Sequence, residues 1–506
     1  MRLRNTASFI REFLLCLLSA GMLFLAFPYF NLWYLAWFAF VPFFLAIEDK
    51  PPVRVLLLSW LTGAMFWGGA VYWLIHVTLG GMIGMVLYLS LYFAAFGFAV
   101  SAFRAPFPGV RLLFVPAVWV ILEYLRSHLL TGFPWALLGY TQASLPVVIQ
   151  AADITGVWGV SFLIVMANTA AYGFLRRRGA GACSRLSPVI VTIGVLVLCA
   201  GYGIAKLGER PPNTARRTIA IVQGNVCHER KWQPDTRDAI METHLRLSRE
   251  AAVRADLVVW SEAALPVIIE DEPYYFERTR AAVRENKTPL LMGAISRRGE
   301  RFFNSALLVM PSGDVAAVYD KIHRVPFGEY IPLRAVFPFL ETLAPIGELA
   351  RGDAYTVFSV PGPEGSGEFR FSTLICFEDA FPEMARRFVR EGARCLVNIT
   401  NDAWYRYSPA AYQHCQAAVF RAVENRVPVV RCANTGISCF IDRNGVISDI
   451  ARDREGKELF TEALAVAAVT VSSGVPTVYT RYGDYFLWLC VLAVCAGAAV
   501  QFLKRR

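Results

Sequence analysis

The chain has 506 residues, of which 56% are hydrophobic and 18% charged, and its formal net charge is +10. Soluble globular chains are roughly 45–50% apolar, so the excess indicates a membrane protein, and no nucleic-acid-binding motif accompanies the basic charge, which argues against nucleic acid as a partner. The eleven cysteines and six histidines show no C-x-x-C pair and no ligand-like spacing, so no metal site and no cofactor is expected.

The apolar excess lies in the first two hundred residues and the last twenty-five or so. A spanning helix needs about 20 largely apolar residues. Such stretches occur at about 9–27, 31–47, 54–78, 82–104, 109–128, 157–176, 187–206 and 483–503, which predicts a multi-pass α-helical bundle of about eight spans. The second is short and aromatic, and the fifth contains Pro116 and Glu123. The first has the basic start of a signal peptide, but apolar segments follow it at once, so an uncleaved span is expected.

Basic residues cluster around Arg2–Arg11, Lys50–Arg54, Arg104–Arg111, Arg176–Arg185 and Lys504–Arg506. With eight spans all five clusters fall on one side, which the positive-inside rule makes cytoplasmic. The expected organisation is therefore a transmembrane bundle of seven spans at 1–206, an outside domain at 207–482, and a C-terminal span at 483–506.

The outside domain reads as short apolar strands alternating with helices. Strands are expected at Thr218–Gln223, Asp256–Trp260, Pro289–Gly293, Asn304–Met310, Asp314–Tyr319, Phe369–Cys376, Cys395–Ile399 and Pro428–Cys432. Helices are expected at about 236–253, 273–286, 379–391 and 409–425. Arg443-Asn-Gly445 between Ser438–Asp442 and Val446–Ile450 is a hairpin signal. This order predicts a layered α/β sandwich.

Three polar residues end or follow apolar strands: Glu262, Lys321 and Cys376. Strand ends in α/β folds project side chains into a shared crevice. Taken singly, each has a bland explanation: a cysteine in an apolar strand is usually a small buried hydrophobe, and a Glu or Lys at a strand end is usually solvated. Taken together they supply a chemistry. A carboxylate takes the thiol proton, and an ammonium faces the oxyanion that forms when the thiolate attacks a carbonyl.

Trp260-Ser-Glu262-Ala-Ala-Leu-Pro266, Tyr319-Asp-Lys321-Ile-His-Arg-Val-Pro-Phe-Gly-Glu329 and Leu374-Ile-Cys376-Phe-Glu378-Asp379 resemble the Glu, Lys and Cys motifs of the carbon–nitrogen hydrolase (nitrilase) superfamily. With Phe133-Pro-Trp135, Gly139-Tyr140, Gln223-Gly-Asn225, Asn401-Asp-Ala-Trp404 and Asn434-Thr-Gly436, nearly the whole chain resembles its apolipoprotein N-acyltransferase branch.

The resemblance implies a nitrilase-like αββα sandwich on the periplasmic face of a bacterial inner membrane, with both termini cytoplasmic. It implies Glu262 as general base, Lys321 as oxyanion stabiliser and Cys376 as nucleophile. Glu329, Glu378 and Asn401 would support the site, with Asp402 organising the pocket wall. Trp232, Trp404, Phe377 and Tyr140 would line the substrate entrance. Phe377 stands where the family often has Tyr, and Tyr405-Arg406 replaces a commoner Phe-Gly, which leaves the following loop's shape open.

The reaction implied moves an acyl chain from a phospholipid donor to Cys376 and then to the N-terminal amine of a diacylated apolipoprotein acceptor. Membrane lipids are further expected partners. A protected thioester predicts a dry pocket closed by loops near Trp232 and 333–350, with Ala335–Leu340 and the Phe30–Trp37 aromatics as a lipid path. The rival expectation is a membrane-anchored nitrilase-type amidase or hydrolase with the same three residues.

Overall fold

The structure is a computed structural model and describes residues 2–103, 108–176, 182–210, 214–227, 229–332, 334, 347–362, 367–472 and 474–504. The expected lid at 333–350 and the apolar stretch Ala335–Leu340 fall almost wholly outside the described residues. The chain forms two compact units, Met1–Glu209 with Tyr482–Arg506, and Arg210–Arg481.

In the first unit seven helices among the described residues are long and apolar enough to cross a membrane. They lie in α1 (Arg2–Ala26), α3 (Pro52–Ala70), α4 (Leu79–Ala102), α5 (Pro108–His128), α6 (Val157–Arg176), α7 (Ala182–Leu207) and α12 (Tyr485–Leu503).

The second expected span, 31–47, differs. It is a 3₁₀ turn, Trp33–Trp37, followed by the eight-residue helix α2 (Phe40–Ile47). At 1.5 Å per residue this helix covers about 12 Å, well short of a hydrocarbon core about 30 Å thick. The break has a partner that periodicity cannot reveal. Asn168 on α6 accepts from the Phe40 backbone N–H at 2.8 Å and donates to the Ala36 carbonyl at 2.9 Å. Those backbone groups would otherwise be unsatisfied in an apolar interior, which is expensive. Phe40, Phe43 and Phe44 are buried and stack around Trp119 and Phe96. The third expected span, 54–78, is likewise shorter: α3 stops at Ala70 and a separate turn covers Tyr72–His76.

The second unit is built on two six-stranded sheets, ordered β12-β1-β2-β3-β4-β5 and β11-β10-β9-β8-β7-β6. In the first, β1 (Thr214–Gln223), β2 (Leu257–Trp260) and β3 (Leu290–Arg298) run parallel. β4 (Arg301–Val309) and β5 (Val315–Asp320) extend it antiparallel, and β12 (Ala463–Ser472) pairs antiparallel with β1 over ten residues. In the second, β7 (Glu368–Ile375), β8 (Leu396–Thr400) and β9 (Val429–Ala433) run parallel. β6 (Phe358–Pro361) joins one edge, and β10 (Cys439–Ile441) with β11 (Ile447–Ser448) forms the expected hairpin at the other.

Helices α8 (Arg237–Ala252), α9 (Pro273–Asn286), α10 (Pro382–Arg390) and α11 (Ala410–Asn425) each follow a parallel strand. Met241, Leu245 and Val283 of α8 and α9 meet Val222, Trp260 and Met292 of the first sheet in one buried cluster. Each such side chain contributes about 1.5–3 kcal/mol by leaving water. The two sheets meet at their parallel strands, where the one S–H of Cys432 on β9 faces the carbonyls of Val222 and Val259, each 3.4 Å from the sulfur. The ends of β2, β5, β7, β8 and β9 carry the polar residues.

Candidate active site

Glu262 follows β2 by two residues. Its placement depends on Gly293 of the neighbouring strand: a Cβ there would stand 2.5 Å from the Ser261 carbonyl and 2.7 Å from the Glu262 Cα. Only a residue without a side chain lets β3 pass so close. The Glu262 carboxylate accepts from Asn304 Nδ2 at 2.7 Å and lies 3.5 Å from Lys321 Nζ.

Lys321 follows β5 and is 1% exposed. Its Nζ donates to Glu329 Oε1 at 2.9 Å. Glu329 in turn accepts from Asn304 Nδ2 at 2.9 Å and from the Val325 backbone N–H at 2.8 Å. Asn304 thus ties the two carboxylates to one another, with the ammonium between them. Burial pushes the Lys321 ammonium down, but Glu329 and Glu262 outweigh it and hold the group well above its usual value. A buried cation stays charged only when paired in this way.

Cys376 opens the 3₁₀ turn Cys376–Ala380 directly after β7. Its φ of 54° is left-handed, a geometry that costs a non-glycine residue about 1–3 kcal/mol and persists where the surroundings impose it. Burial raises the thiol's pKa strongly, Glu262 adds to the rise, and Lys321 opposes it. The three side chains are therefore close enough for their charges to act on one another. Burial and Glu262 favour the protonated thiol, and Lys321 favours the thiolate. Cys376 is also free of any disulfide.

Glu378 is fully buried, and its carboxylate accepts from the backbone N–H groups of Ile322, His323 and Ile375 and from the Tyr319 hydroxyl. Those donors come from both sides of the site, so Glu378 staples the segment after Lys321 to the strand that carries Cys376. Burial pushes it up to about 7 against the pull of these bonds.

The remaining expected residues divide. Asn401 Oδ1 accepts from Asn434 Nδ2 at 2.9 Å, joining the ends of β8 and β9. Trp232 and Trp404 are 47% and 45% exposed, Trp404 within the 3₁₀ turn Asp402–Tyr405. Phe377 is buried and meets Phe381 edge-to-face with ring centroids 5.0 Å apart, so it packs beside the turn. Tyr140 belongs to the membrane unit, buried in the turn Leu138–Gln142.

Four residues escaped the sequence reading. Asn304 was absorbed into a strand. Tyr405 registered only as a departure in loop sequence, yet its hydroxyl is shifted upward by burial, then by Cys376 and Asp402. Lys231 donates to the Glu262 carbonyl at 3.3 Å, and burial lowers its pKa to about 8 despite the Glu262 carboxylate. His414 lies on the inner side of α11. A polar residue at an inward position of an apolar strand or helix is the signal that would have flagged Asn304 and His414. Among the described residues no group of three His, Cys, Asp or Glu side chains is arranged to hold a metal ion.

Comparison with known proteins agrees with this architecture. Residues 218–473 match the family model of carbon-nitrogen hydrolase, and residues 19–170 match that of the apolipoprotein N-acyltransferase N-terminal domain. A protein of Geobacter metallireducens named apolipoprotein N-acyltransferase is 40% identical over 98% of this chain and 96% of its own length. Proteins of the same name from Photobacterium profundum and Vibrio cholerae are each 30% identical, over 93% and 95% of this chain and 92% and 95% of their own lengths. The chain belongs to the apolipoprotein N-acyltransferase family, with a carbon-nitrogen hydrolase domain over residues 218–473.

Proposed function

We propose that this membrane enzyme moves an acyl chain from a phospholipid to the N-terminal α-amine of the diacylglyceryl-cysteine of apolipoproteins, by way of a thioester on Cys376. The product is the mature, triacylated lipoprotein. The observation that carries the reading is the buried Glu262–Lys321–Glu329 cluster whose charges act on a thiol held at a strained turn.

In the first half-reaction Glu262 takes the Cys376 proton as sulfur attacks the ester carbonyl carbon. Lys321 donates to the oxyanion of the tetrahedral intermediate, and its charge is sustained by Glu329. The ester C–O bond breaks, the proton passes from Glu262 to the leaving alkoxide, and lysophospholipid departs. In the second half the acceptor amine attacks the thioester and gives its proton to Glu262. The C–S bond breaks, and the thiolate recovers that proton. A resting thiol suits this order, because proton transfer then accompanies attack and no buried thiolate has to be stored beside Glu262.

Both substrates are lipids, and each buried CH₂ holds them in the bilayer by about 0.8 kcal/mol. A catalytic domain anchored before residue 210 and after residue 481 meets them by lateral diffusion. We place that domain on the periplasmic side and both termini in the cytoplasm, because the five basic clusters share one side when the broken segment Trp33–Ile47 serves as the eighth crossing. The rival hydrolase reading is not favoured, since the match to the N-acyltransferase N-terminal domain covers residues that a simple hydrolase does not need.

The test is transfer of acyl groups from phospholipid to a diacylglyceryl-cysteine peptide by the full-length enzyme in mixed micelles. The expected outcome is an amide-linked third acyl chain, with no transfer by Cys376→Ala. Transfer retained by that variant would refute the mechanism.

A further inference from the structure

Beside the turn that bears Cys376 lies a second set of buried charges that acyl transfer does not use. His414 Nε2 stands 2.7 Å from Asp379 Oδ1 and 3.3 Å from the Cys376 carbonyl oxygen. Its Nδ1 stands 2.9 Å from Asp402 Oδ1. Arg431 on β9 donates to the other oxygen of each acid, Asp379 Oδ2 and Asp402 Oδ2, both at 3.0 Å. It also donates to Asn398 Oδ1 at 2.8 Å, while Asn398 Nδ2 donates to the Cys376 carbonyl at 3.1 Å. All five side chains are buried.

Two carboxylates and one guanidinium face the His414 ring, so the acids outnumber the cation around it. A neutral ring has one lone pair, and at Nδ1 that lone pair would suit Arg431 Nη2, 2.9 Å away, but would oppose Asp402 Oδ1 at the same distance. Burial and Arg431 lower the imidazolium pKa, and Asp379 and Asp402 raise it further, to about 9. With two cations and two carboxylates the cluster is neutral as a whole. Both ring N–H groups then donate, one towards Asp402 and one towards Asp379 and the Cys376 carbonyl.

The left-handed backbone at Cys376 needs such a hold. We propose that His414 is a positioning residue for the nucleophile, gripping the Cys376 carbonyl together with Asn398 so that the strained turn keeps the thiol aimed at Glu262 and Lys321. The proposal rests on the reading of Cys376 as the nucleophile. It makes the Asp379–His414–Asp402–Arg431 cluster part of the catalytic apparatus without contact with substrate.

The sign of the pH effect follows from the raised pKa. The imidazolium is fully present below the ordinary histidine value and is lost as pH rises through about 9. The groups facing it are Asp379 from the nucleophile turn, Asp402 from the end of β8, Arg431 from β9, and the thiols of Cys415 and Cys439 beyond Arg431. His414 and Arg431 hold the Asp402 carboxyl below its usual value, and Asp402 and Asp379 hold the Arg431 guanidinium above its own.

The experiment follows the rate of Cys376 acylation by phospholipid, read as intact mass of the full-length enzyme, between pH 6.5 and 10. Wild type is expected to hold its rate to about pH 8.5 and lose about tenfold by pH 10, one unit above the imidazolium pKa. His414→Gln keeps a donor near the Nε2 position and is expected within about tenfold of wild type, with no alkaline fall. His414→Asn reaches only towards Asp402 and is expected to lose about a hundredfold, the scale of a misplacement of about 1 Å. A purely structural histidine predicts that both variants melt lower while the rate per folded molecule and the alkaline limb stay as in wild type. That result, or a wild-type rate that keeps rising to pH 10, overturns the proposal. Where one variant does not fold, the rate and alkaline limb of the other decide, because Lys231 beside Glu262 also loses its proton in this window. Alkylation of Cys376 by iodoacetamide without lipid separates the two readings. If wild type alkylates there but takes no acyl group, the donor assignment fails, and the order of alkylation rates (wild type, then Gln, then Asn) still judges His414.

Discussion

Each of the three residues singled out by strand-end position has a specific physical partner. Glu262 and Lys321 are linked through Asn304 and Glu329, and Cys376 is held at positive φ with its thiol protonated. The residue types were legible because each is a polar side chain ending an apolar run. Their supports were harder to read, because Asn304 and His414 lie inside a strand and a helix, where only a polar residue at an inward position marks them. Glu378 was expected only to support the site, and its carboxylate accepts from four donors, the Tyr319 hydroxyl and the backbone N–H groups of Ile322, His323 and Ile375. The base role makes a specific prediction. Glu262→Gln keeps the shape and an acceptor for Asn304 but removes the carboxylate, so acylation of Cys376 should fall by about 10²–10⁴-fold while the enzyme folds. Single-turnover mass measurements check this, and a fall under threefold would remove Glu262 as the base.

At the scale of elements, the amphipathic helices of the catalytic domain were the clearest part of the sequence. The helix expected at 273–286 runs Pro273–Asn286, and that at about 409–425 runs Ala410–Asn425. The helix expected at 379–391 starts later, at Pro382, because the turn Cys376–Ala380 intervenes. Strand β12 went unread. Its run Ala463-Leu-Ala-Val-Ala-Ala-Val suits helix and strand equally, and only pairing with β1 decides. The segment 31–47 was read as one span because hydropathy reports apolarity and is blind to a side chain from another helix that supplies hydrogen bonds to a break. Asn168→Ala is therefore expected to destabilise the membrane unit by about 1–2 kcal/mol, as interhelical hydrogen bonds in bilayers do. Unfolding in detergent followed by helix content measures it, and an unchanged midpoint would show that the break does not depend on Asn168.

The whole molecule joins a unit of long apolar helices to an α/β unit that carries Cys376. The fold has two compact units, with the second inserted before the last helix. What the sequence could not supply is the coupling among buried charges, since Asp379, Asp402 and Arg431 come from three separate elements. Orientation is open to direct test through Cys227, which is exposed in the catalytic domain. A membrane-impermeant maleimide added to spheroplasts should label Cys227 without permeabilisation. Labelling only after lysis would reverse the assigned sidedness.

The central claim is that Cys376 carries the acyl chain between two lipids. Intact mass of the full-length enzyme after incubation with phospholipid alone tests it most directly. One acyl group, mapped to Cys376 and lost on addition of a diacylglyceryl-cysteine peptide with matching gain by the peptide, is the predicted result. No adduct at Cys376 while the peptide still becomes acylated would contradict it.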